Sequence, residues 1–435
     1  MQLDPIAFAY VAPLLLIWAV YLGLRKRAER RNIATLAEAT EAGLTEPASL
    51  HPLIDPSRCI GCGACVRACP EGRILGLVGG KAVLIDPAEC IGHGACSAAC
   101  PRGAITLVFG TESRGVDIPH VGPDFQTNVP GLFIAGELGG MGLIRNAIEQ
   151  GRQAMDSIRR LDGLGRPDSL DVVVIGGGPA GISASLAAIE SKLRFVTIEQ
   201  DSFGGTVSHF PRGKLVMTQP ATLPIVGKVK FREISKEKLL AFWQKVAGRT
   251  GLAIRYGERV DKIVPAPGGG FDIKTTRAAY RARAVLLAIG RRGTPRRLGA
   301  PGEDLPKVVY RLIDAEQYRG QHVLIVGGGD SALEAAGSIA EQPGTTVTLS
   351  YRSEAFSRAK TKNRDRVARA KDAGRLRVLL KSTVKRIDKD TVDIEWQGQT
   401  VKLRNCAVIV CAGGILPTGF LKDIGVTVES KYGTT

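Results

Sequence analysis

The chain is 435 residues long, enough for two to four domains. Charged residues make up 23% and hydrophobic residues 44%, which excludes a largely disordered chain. A net charge of +17 favours an anionic partner: a phosphate-bearing cofactor, a membrane surface, an acidic protein or nucleic acid. Aromatic residues at 5% and the lack of a recognition module argue against nucleic acid.

The N-terminus carries the first element. Residues 5–24 hold no charge, and as a helix they would run about 30 Å, one hydrocarbon core. Arg25, Lys26, Arg27, Arg30 and Arg31 follow at once. Positive charge stays on the cytoplasmic side, so the expectation is a single-pass anchor over residues 1–27 in the inner (cytoplasmic) membrane, with everything after it facing the cytoplasm. Residues 28–50, mixed polar with Ala and Glu, read as a juxtamembrane helix plus linker.

Seven of the nine cysteines crowd between residues 59 and 100, which points to metal ligation in a reducing compartment. They fall in a repeat, DPSRCIGCGACVRACP at 55–70 and DPAECIGHGACSAACP at 86–101, offset by 31 residues. The first run has the C-x2-C-x2-C-x3-C-P spacing that wraps thiolates around an iron–sulfur cube, and the last cysteine of each run is expected to serve the other cluster. The first cluster is expected on Cys59, Cys62, Cys65 and Cys100, the second on Cys90, Cys96 and Cys69. His93 stands where the second run should hold a fourth cysteine. Three outcomes stay open: His93 ligates the fourth iron, the cluster has three irons, or it does not form. A neutral imidazole in place of a thiolate would raise the reduction potential, which would make the second cluster the better electron acceptor. Residues 51–108 resemble the bacterial dicluster ferredoxin module, a small α+β domain.

Residues 171–199 read strand, glycine turn, helix, strand. Gly176, Gly178 and Gly181 with Pro179 and Ala180 form the G-x-G-x-x-G turn, whose glycines let a pyrophosphate approach the helix N-terminus. Glu199, at the end of the second strand, is placed for a ribose 2′-hydroxyl. Residues 322–351 repeat the pattern with Gly327, Gly329, Asp330, Ser331 and Ala332. No acid follows there. Arg352 and Arg358 stand nearby instead, which favours NADPH over NADH, since an arginine accommodates a 2′-phosphate.

Two such turns in one chain resemble the pyridine-nucleotide flavoproteins, and more narrowly the thioredoxin-reductase-like enzymes, over residues 115–435. The resemblance implies FAD on the first turn and NAD(P)H on the second, with Gly205 and Thr206 supporting the first. That family ends in a T-x-x-P-G-x-F strand and a flavin-facing helix. Here the matching residues are Thr127, Pro130, Gly131, Phe133, Gly136 and Glu137, then Arg145, Asn146 and Ala147, all before the first glycine turn. The flavoprotein therefore resembles a circularly permuted one joined to the ferredoxin module. The implied layout is an FAD-binding domain over 109–307, with 412–435 returning to it, and an NAD(P)-binding domain over 308–411.

The family's C-x-x-C before the second glycine turn is missing from 307–321, so a dithiol reductase is not expected. Cys406 and Cys411 read as one strand, on opposite faces, buried and inert. The thirteen Lys and Arg of 352–386 read as a solvated face. The expected fold class is α/β, with two Rossmann-like domains, the ferredoxin domain and the N-terminal helix. The expected activity is an oxidoreductase passing electrons between NAD(P)H, FAD, two iron–sulfur clusters and a redox protein or membrane-associated acceptor, in a direction the sequence does not fix. No acid–base residue is needed for hydride transfer to a flavin. A non-catalytic relay subunit and a low-molecular-weight disulfide reductase are the rivals, and a homodimer is among the open assemblies.

Overall fold

The computed structural model describes residues 5–47, 50–112, 114–140, 142–217, 220–229, 234–291, 293–356 and 359–433, without the side chains of residues 5–9 and 217. The chain divides into two compact units, one over residues 1–108 and the other over most of 109–434.

In the first unit, one helix, α1, runs without a break from Pro5–Glu41. The stretch expected as a juxtamembrane helix plus linker is helical as far as Glu41, and that helix packs. Asn32 Nδ2 donates to the Leu77 carbonyl over 3.0 Å, and the Gly79 N–H donates to the Glu29 carboxylate over 2.7 Å. Gly76 allows that approach, because a Cβ there would lie 2.7 Å from the Asn32 side chain. Further toward the N-terminus, large apolar residues from Tyr10 to Leu24 are exposed, Tyr10 by 74% and Leu24 by 62%. Among the described residues, no helix is long and apolar enough to cross a membrane. The expected span over 5–24 is therefore not recovered, and residues 1–4 lie outside the described residues.

The rest of this unit is built on a pseudo-repeat. Strands β1 (His51–Ile54) and β4 (Ile105–Val108) pair antiparallel, as do β2 (Leu75–Val78) and β3 (Lys81–Leu84). Gly79 and Gly80 both take positive φ in the turn of that hairpin, the conformation a two-residue hairpin loop needs. Helices α2 (Ala64–Ala68) and α3 (Ala95–Ala98) each start on a left-handed glycine, Gly63 and Gly94. Leu75, Ala82, Ile105, Cys65 and Cys96 share one core.

The second unit holds a mixed seven-stranded sheet. Strand β7 (Leu170–Ile175) lies between β8 (Phe195–Ile198) and the strand Ala279–Leu287, parallel to both. The outer edge of Ala279–Leu287 is shared: Phe271–Thr275 pairs antiparallel along its first half, and β6 (Leu132–Ile134) runs parallel to Val285–Leu287. All but the first residue of β7, and all of β6, are buried, as strands covered on both faces are. Helix α4 (Ile144–Ile158) packs on α5 (Pro179–Glu190), nine of whose twelve residues are buried; five of those nine are Ala or Gly, small enough for close approach. A satellite core closes over α5 around Trp243 of α6 (Lys236–Thr250).

A second, all-parallel sheet runs in the order Val308–Val309, Ala407–Val410, His322–Val326, Thr346–Tyr351, Leu376–Leu380. Helices α7 (Asp330–Ala340) and α8 (Thr361–Asp372) belong to this region, and an antiparallel meander from 382 to 404 follows it. The chain's last strand, Val428–Lys431, pairs antiparallel with β5 (Val116–Pro119). The protein is thus a mixed α/β fold, with a Rossmann-type region of two glycine-turn units and a ferredoxin-like region.

Candidate functional site

The ferredoxin-like region holds two matched cavities. The first is lined by Cys59, Cys62, Cys65 and Cys100. The second is lined by Cys69, Cys90, Cys96 and His93. Each motif thus sends its last cysteine to the other motif's cavity, as the spacing predicts. Gly61 and Gly92 make the wrapping possible. Both take positive φ, and a Cβ on either would meet a backbone carbonyl oxygen, Gly80 at 2.0 Å and Leu50 at 2.4 Å. Among the described residues, no three such donors converge on a single point. Four donors line each cavity, the number an iron–sulfur cube takes. The N–H of Ala82 donates to Cys59 Sγ over 3.4 Å and that of Ala104 to Cys100 Sγ over 3.2 Å.

The thiols differ in chemistry. Burial pushes Cys65, Cys69 and Cys96 up and Cys90 up to about 11, and the Glu71 carboxylate adds to the shift at Cys69 and Cys90. The Ala104 N–H instead holds Cys100 below the usual thiol range. Metal ligation requires thiolates, so loading the second cavity must displace protons from thiols that hold them tightly. His93 Nε2 lies 3.8 Å from Glu71 Oε1. The residues fit iron–sulfur clusters.

The first glycine turn leaves β7 and enters α5. Gly176 takes a φ of +116°, and a Cβ there would lie 2.4 Å from the Ala288 carbonyl oxygen. A Cβ on Gly181 would lie 1.8 Å from the Gly176 carbonyl oxygen. Gly178 differs: a Cβ on it meets nothing within 4 Å, so this face of the turn is open to a ligand. Glu199 is buried, its carboxylate accepting from the Gly177 N–H over 2.6 Å and from the Asp201 N–H over 2.8 Å. Gly205 closes over the turn, 3.1 Å from Gly178 Cα by the same measure, with Thr206 beside it. Residues far back in the chain join this site. Gly136 donates its N–H to Gln150 Oε1 over 2.8 Å, and its Cβ position lies 3.1 Å from the Ala180 Cβ. Glu137 follows in a short 3-10 turn, and Arg145, Asn146 and Ala147 form the first turn of α4. Arg291 is a half-buried cation the sequence did not single out. It donates to the Asp117 carbonyl over 2.9 Å. Burial holds its guanidinium below the usual arginine range, against the carboxylates of Glu137 and Asp117. An open turn, a buried acid and a helix N-terminus fit a dinucleotide.

The second turn repeats this geometry. Gly327 has φ +145° and would meet the Cys411 carbonyl oxygen at 2.4 Å, while Gly329 faces open space. Asp330, first residue of α7 ahead of Ser331 and Ala332, accepts from the Lys360 N–H and Asn363 Nδ2, both at 2.8 Å. The Tyr351 ring fills the space where Gly328 lacks a side chain. Arg352 follows it, exposed. Arg358 lies outside the described residues. Cys406 is exposed and Cys411 half-buried, which corrects the expectation that both are buried: the strand begins only at Ala407, so Cys406 sits in the turn before it. Lys360 and Asn363 were hidden in a basic run, and only the fold carries them to Asp330.

Residues 173–434 match the family model described as pyridine nucleotide-disulphide oxidoreductase, and residues 51–101 match that of a 4Fe-4S dicluster domain. Among curated relatives, the ferredoxin–NADP reductase of Ignicoccus hospitalis is 29% identical over 266 residues, 60% of this chain and 83% of the relative. The bacilliredoxin reductase Bdr of Bacillus subtilis is 25% identical over 267 residues, 60% of this chain and 82% of the relative. The ferredoxin–NADP reductase of Thermus thermophilus is 29% identical over 276 residues, 61% and 79%. Among solved structures, the bacillithiol disulfide reductase Bdr (YpdA) from Staphylococcus aureus aligns with a TM-score of 0.53 at 24% identity, over 60% of this chain and 81% of that one, a likeness of fold.

Proposed function

The chain belongs to the pyridine nucleotide-disulphide oxidoreductase family, as a flavin-dependent pyridine-nucleotide oxidoreductase carrying a 4Fe-4S dicluster domain, and from that premise we propose that it moves electrons between NAD(P)H and two iron–sulfur clusters by way of FAD. The observation that carries this reading is the presence in one chain of two open glycine turns and two four-donor cavities. A flavin supplies the chemistry that joins them, since it takes a hydride and gives up electrons singly. The protein's own task is placement. The open face of Gly178 admits a pyrophosphate to the N-terminus of α5, and Glu199, already fixed by two backbone N–H groups, keeps acceptor capacity for a ribose hydroxyl. Arg352 supplies the charge that would favour NADPH. Cys59, Cys62, Cys65 and Cys100 would hold one cluster, and Cys69, Cys90, Cys96 and His93 the other.

The β6–α4 segment supports a permuted flavoprotein: β6 lies in the same sheet as β7, and α4 lies against α5. The exposed apolar surface of α1 from Tyr10 to Leu24, followed by five cations, supports attachment of the chain to an anionic membrane, with the redox units on the cytoplasmic side. The partner would be a redox protein, such as a ferredoxin, or a membrane-bound carrier.

Turnover of the purified protein with NADPH and a series of acceptors tests the reading. Reduction of a ferredoxin or a cytochrome with NADPH oxidation supports it. No NADPH oxidation would favour a relay subunit, and oxidation that depends on a low-molecular-weight disulfide would favour a disulfide reductase.

A further inference from the structure

The two cysteine motifs are near-copies, so a charge that differs between equivalent positions is a difference between the two cavities. Besides Cys62 and His93, four positions differ in charge over residues 55–73 and their counterparts. Arg58 precedes Cys59 where Glu89 precedes Cys90, Arg67 of α2 corresponds to Ala98 of α3, Arg73, exposed, corresponds to Ala104, and Glu71 corresponds to Arg102. The last exchange crosses over. Glu71 follows Cys69-Pro70 and lines the second cavity, whereas Arg102 follows Cys100-Pro101 and lines the first. Hydrogen bonds hold the cations at the first cavity. Arg58 Nη2 donates to the Arg102 carbonyl over 3.1 Å, Arg67 Nη1 to the Cys62 carbonyl over 3.3 Å, and Lys81 Nζ to the Cys59 carbonyl over 2.7 Å. At the second cavity the charged neighbour is the Glu71 carboxylate, 3.8 Å from the His93 ring.

We propose that these fixed charges, rather than the exchange of cysteine for His93, set the order of the two clusters: the cluster on Cys59, Cys62, Cys65 and Cys100 has the higher reduction potential. The inference rests on the two-cluster reading above. Reducing a 4Fe–4S cluster adds one electron, supplied by the flavin or an external reductant, and no bond need form or break. The added charge is stabilised by nearby cations and opposed by a nearby anion. His93 removes one negative charge from the second ligand set, and Glu71 returns one at the same wall. Arg58, Arg67, Lys81 and Arg102 gather at the first cavity. Exposure acts in the same direction: of the first set only Cys65 is buried and Cys62 is exposed, whereas in the second both Cys90 and Cys96 are buried, and a buried site resists an added charge. The ordering is the reverse of the one implied by the ligand exchange alone.

The test is a redox titration of the full-length, iron-loaded protein followed by electron paramagnetic resonance, with iron counted per chain. H93C identifies the second-cavity signal as the one it alters. The proposal expects the other signal to appear first on reduction. E71Q should raise the potential of the second cluster only, R102Q should lower that of the first only, and high salt should narrow the gap. Opposite shifts on different clusters cannot come from a general loosening of the fold, and should one variant fail to load, the other and the salt dependence still decide. About four irons per chain, one cube's complement, would remove the two-cluster reading and the proposal with it. With both clusters loaded, a second-cavity signal that appears first, or potentials unmoved by both variants, would overturn the proposal and leave the two-cluster reading standing.

Discussion

Gly151 of α4 lies so close to Ala180 of α5 that a Cβ on it would sit 2.1 Å from the Ala180 carbonyl oxygen. Ala180 belongs to the first glycine turn, so this contact brings a helix from before β7 onto the nucleotide site. Gly151→Ala should destabilise the protein by about 1–3 kcal/mol, the usual range for overpacking a close contact. It should also weaken flavin retention, because α4 and α5 must separate. Thermal unfolding and bound-flavin absorbance check both; a variant as stable as wild type would mean that the helices can part freely.

Gly178→Asp should behave in the opposite way. A side chain there meets open space, so the fold should persist while the carboxylate faces the pyrophosphate. The expected result is a folded, colourless flavin site, read by circular dichroism and absorbance. Retained FAD would contradict the placement of the dinucleotide on this turn.

Arg352→Ala should raise the KM for NADPH about tenfold or more and leave that for NADH nearly unchanged, in line with about 1.5–3 kcal/mol for a charge-assisted hydrogen bond. Steady-state kinetics with both nucleotides measures it. Equal effects would mean that the exposed guanidinium reads something other than a 2′-phosphate.

Cys90 gives a pH dependence. Its thiol is raised to about 11 in the fold, above the ordinary 9.0. Iron-free protein should therefore keep its full stability below pH 9 and lose it as the pH climbs from 9 towards 11, by roughly 2–3 kcal/mol for a shift of that size. Iron-loaded protein should not follow, because the metal already holds the thiolate. Melting temperatures of the two forms at neutral and alkaline pH make the comparison, and parallel losses would show that Cys90 is not the source.

Removing residues 1–24 takes away the exposed apolar surface from Tyr10 to Leu24 but neither glycine turn nor either cysteine cavity. The shortened protein should no longer float with anionic vesicles and should still oxidise NAD(P)H with an artificial acceptor. Undiminished vesicle binding would refute α1 as the attachment.

The cysteine cavities and the glycine turns were legible in the sequence because their demands are local. Gly61, Gly92, Gly176 and Gly181 each face a backbone atom too near for a side chain, so spacing and residue type carry the geometry. What was not legible depends on distant chain. The helix expected after Arg27 carried no sign that Glu29 and Asn32 bond to the β2–β3 hairpin. Cys406 read as a buried strand residue, but its strand starts one residue later. Arg291 was one arginine among many until the fold half-buried it within the fields of Glu137 and Asp117. The opposed charges of Glu71 and Arg102 acquire meaning only once each motif's last cysteine crosses to the other cavity.

The most direct test is anaerobic rapid mixing, with flavin absorbance and cluster resonance signals recorded on the same samples. Oxidised protein would be mixed with NADPH, and dithionite-reduced protein with NADP+. The account predicts that flavin and clusters exchange electrons in at least one direction, with cluster signals changing only in protein that retains its flavin. A flavin that NADPH reduces fully while the clusters neither gain nor lose electrons in either experiment would contradict it.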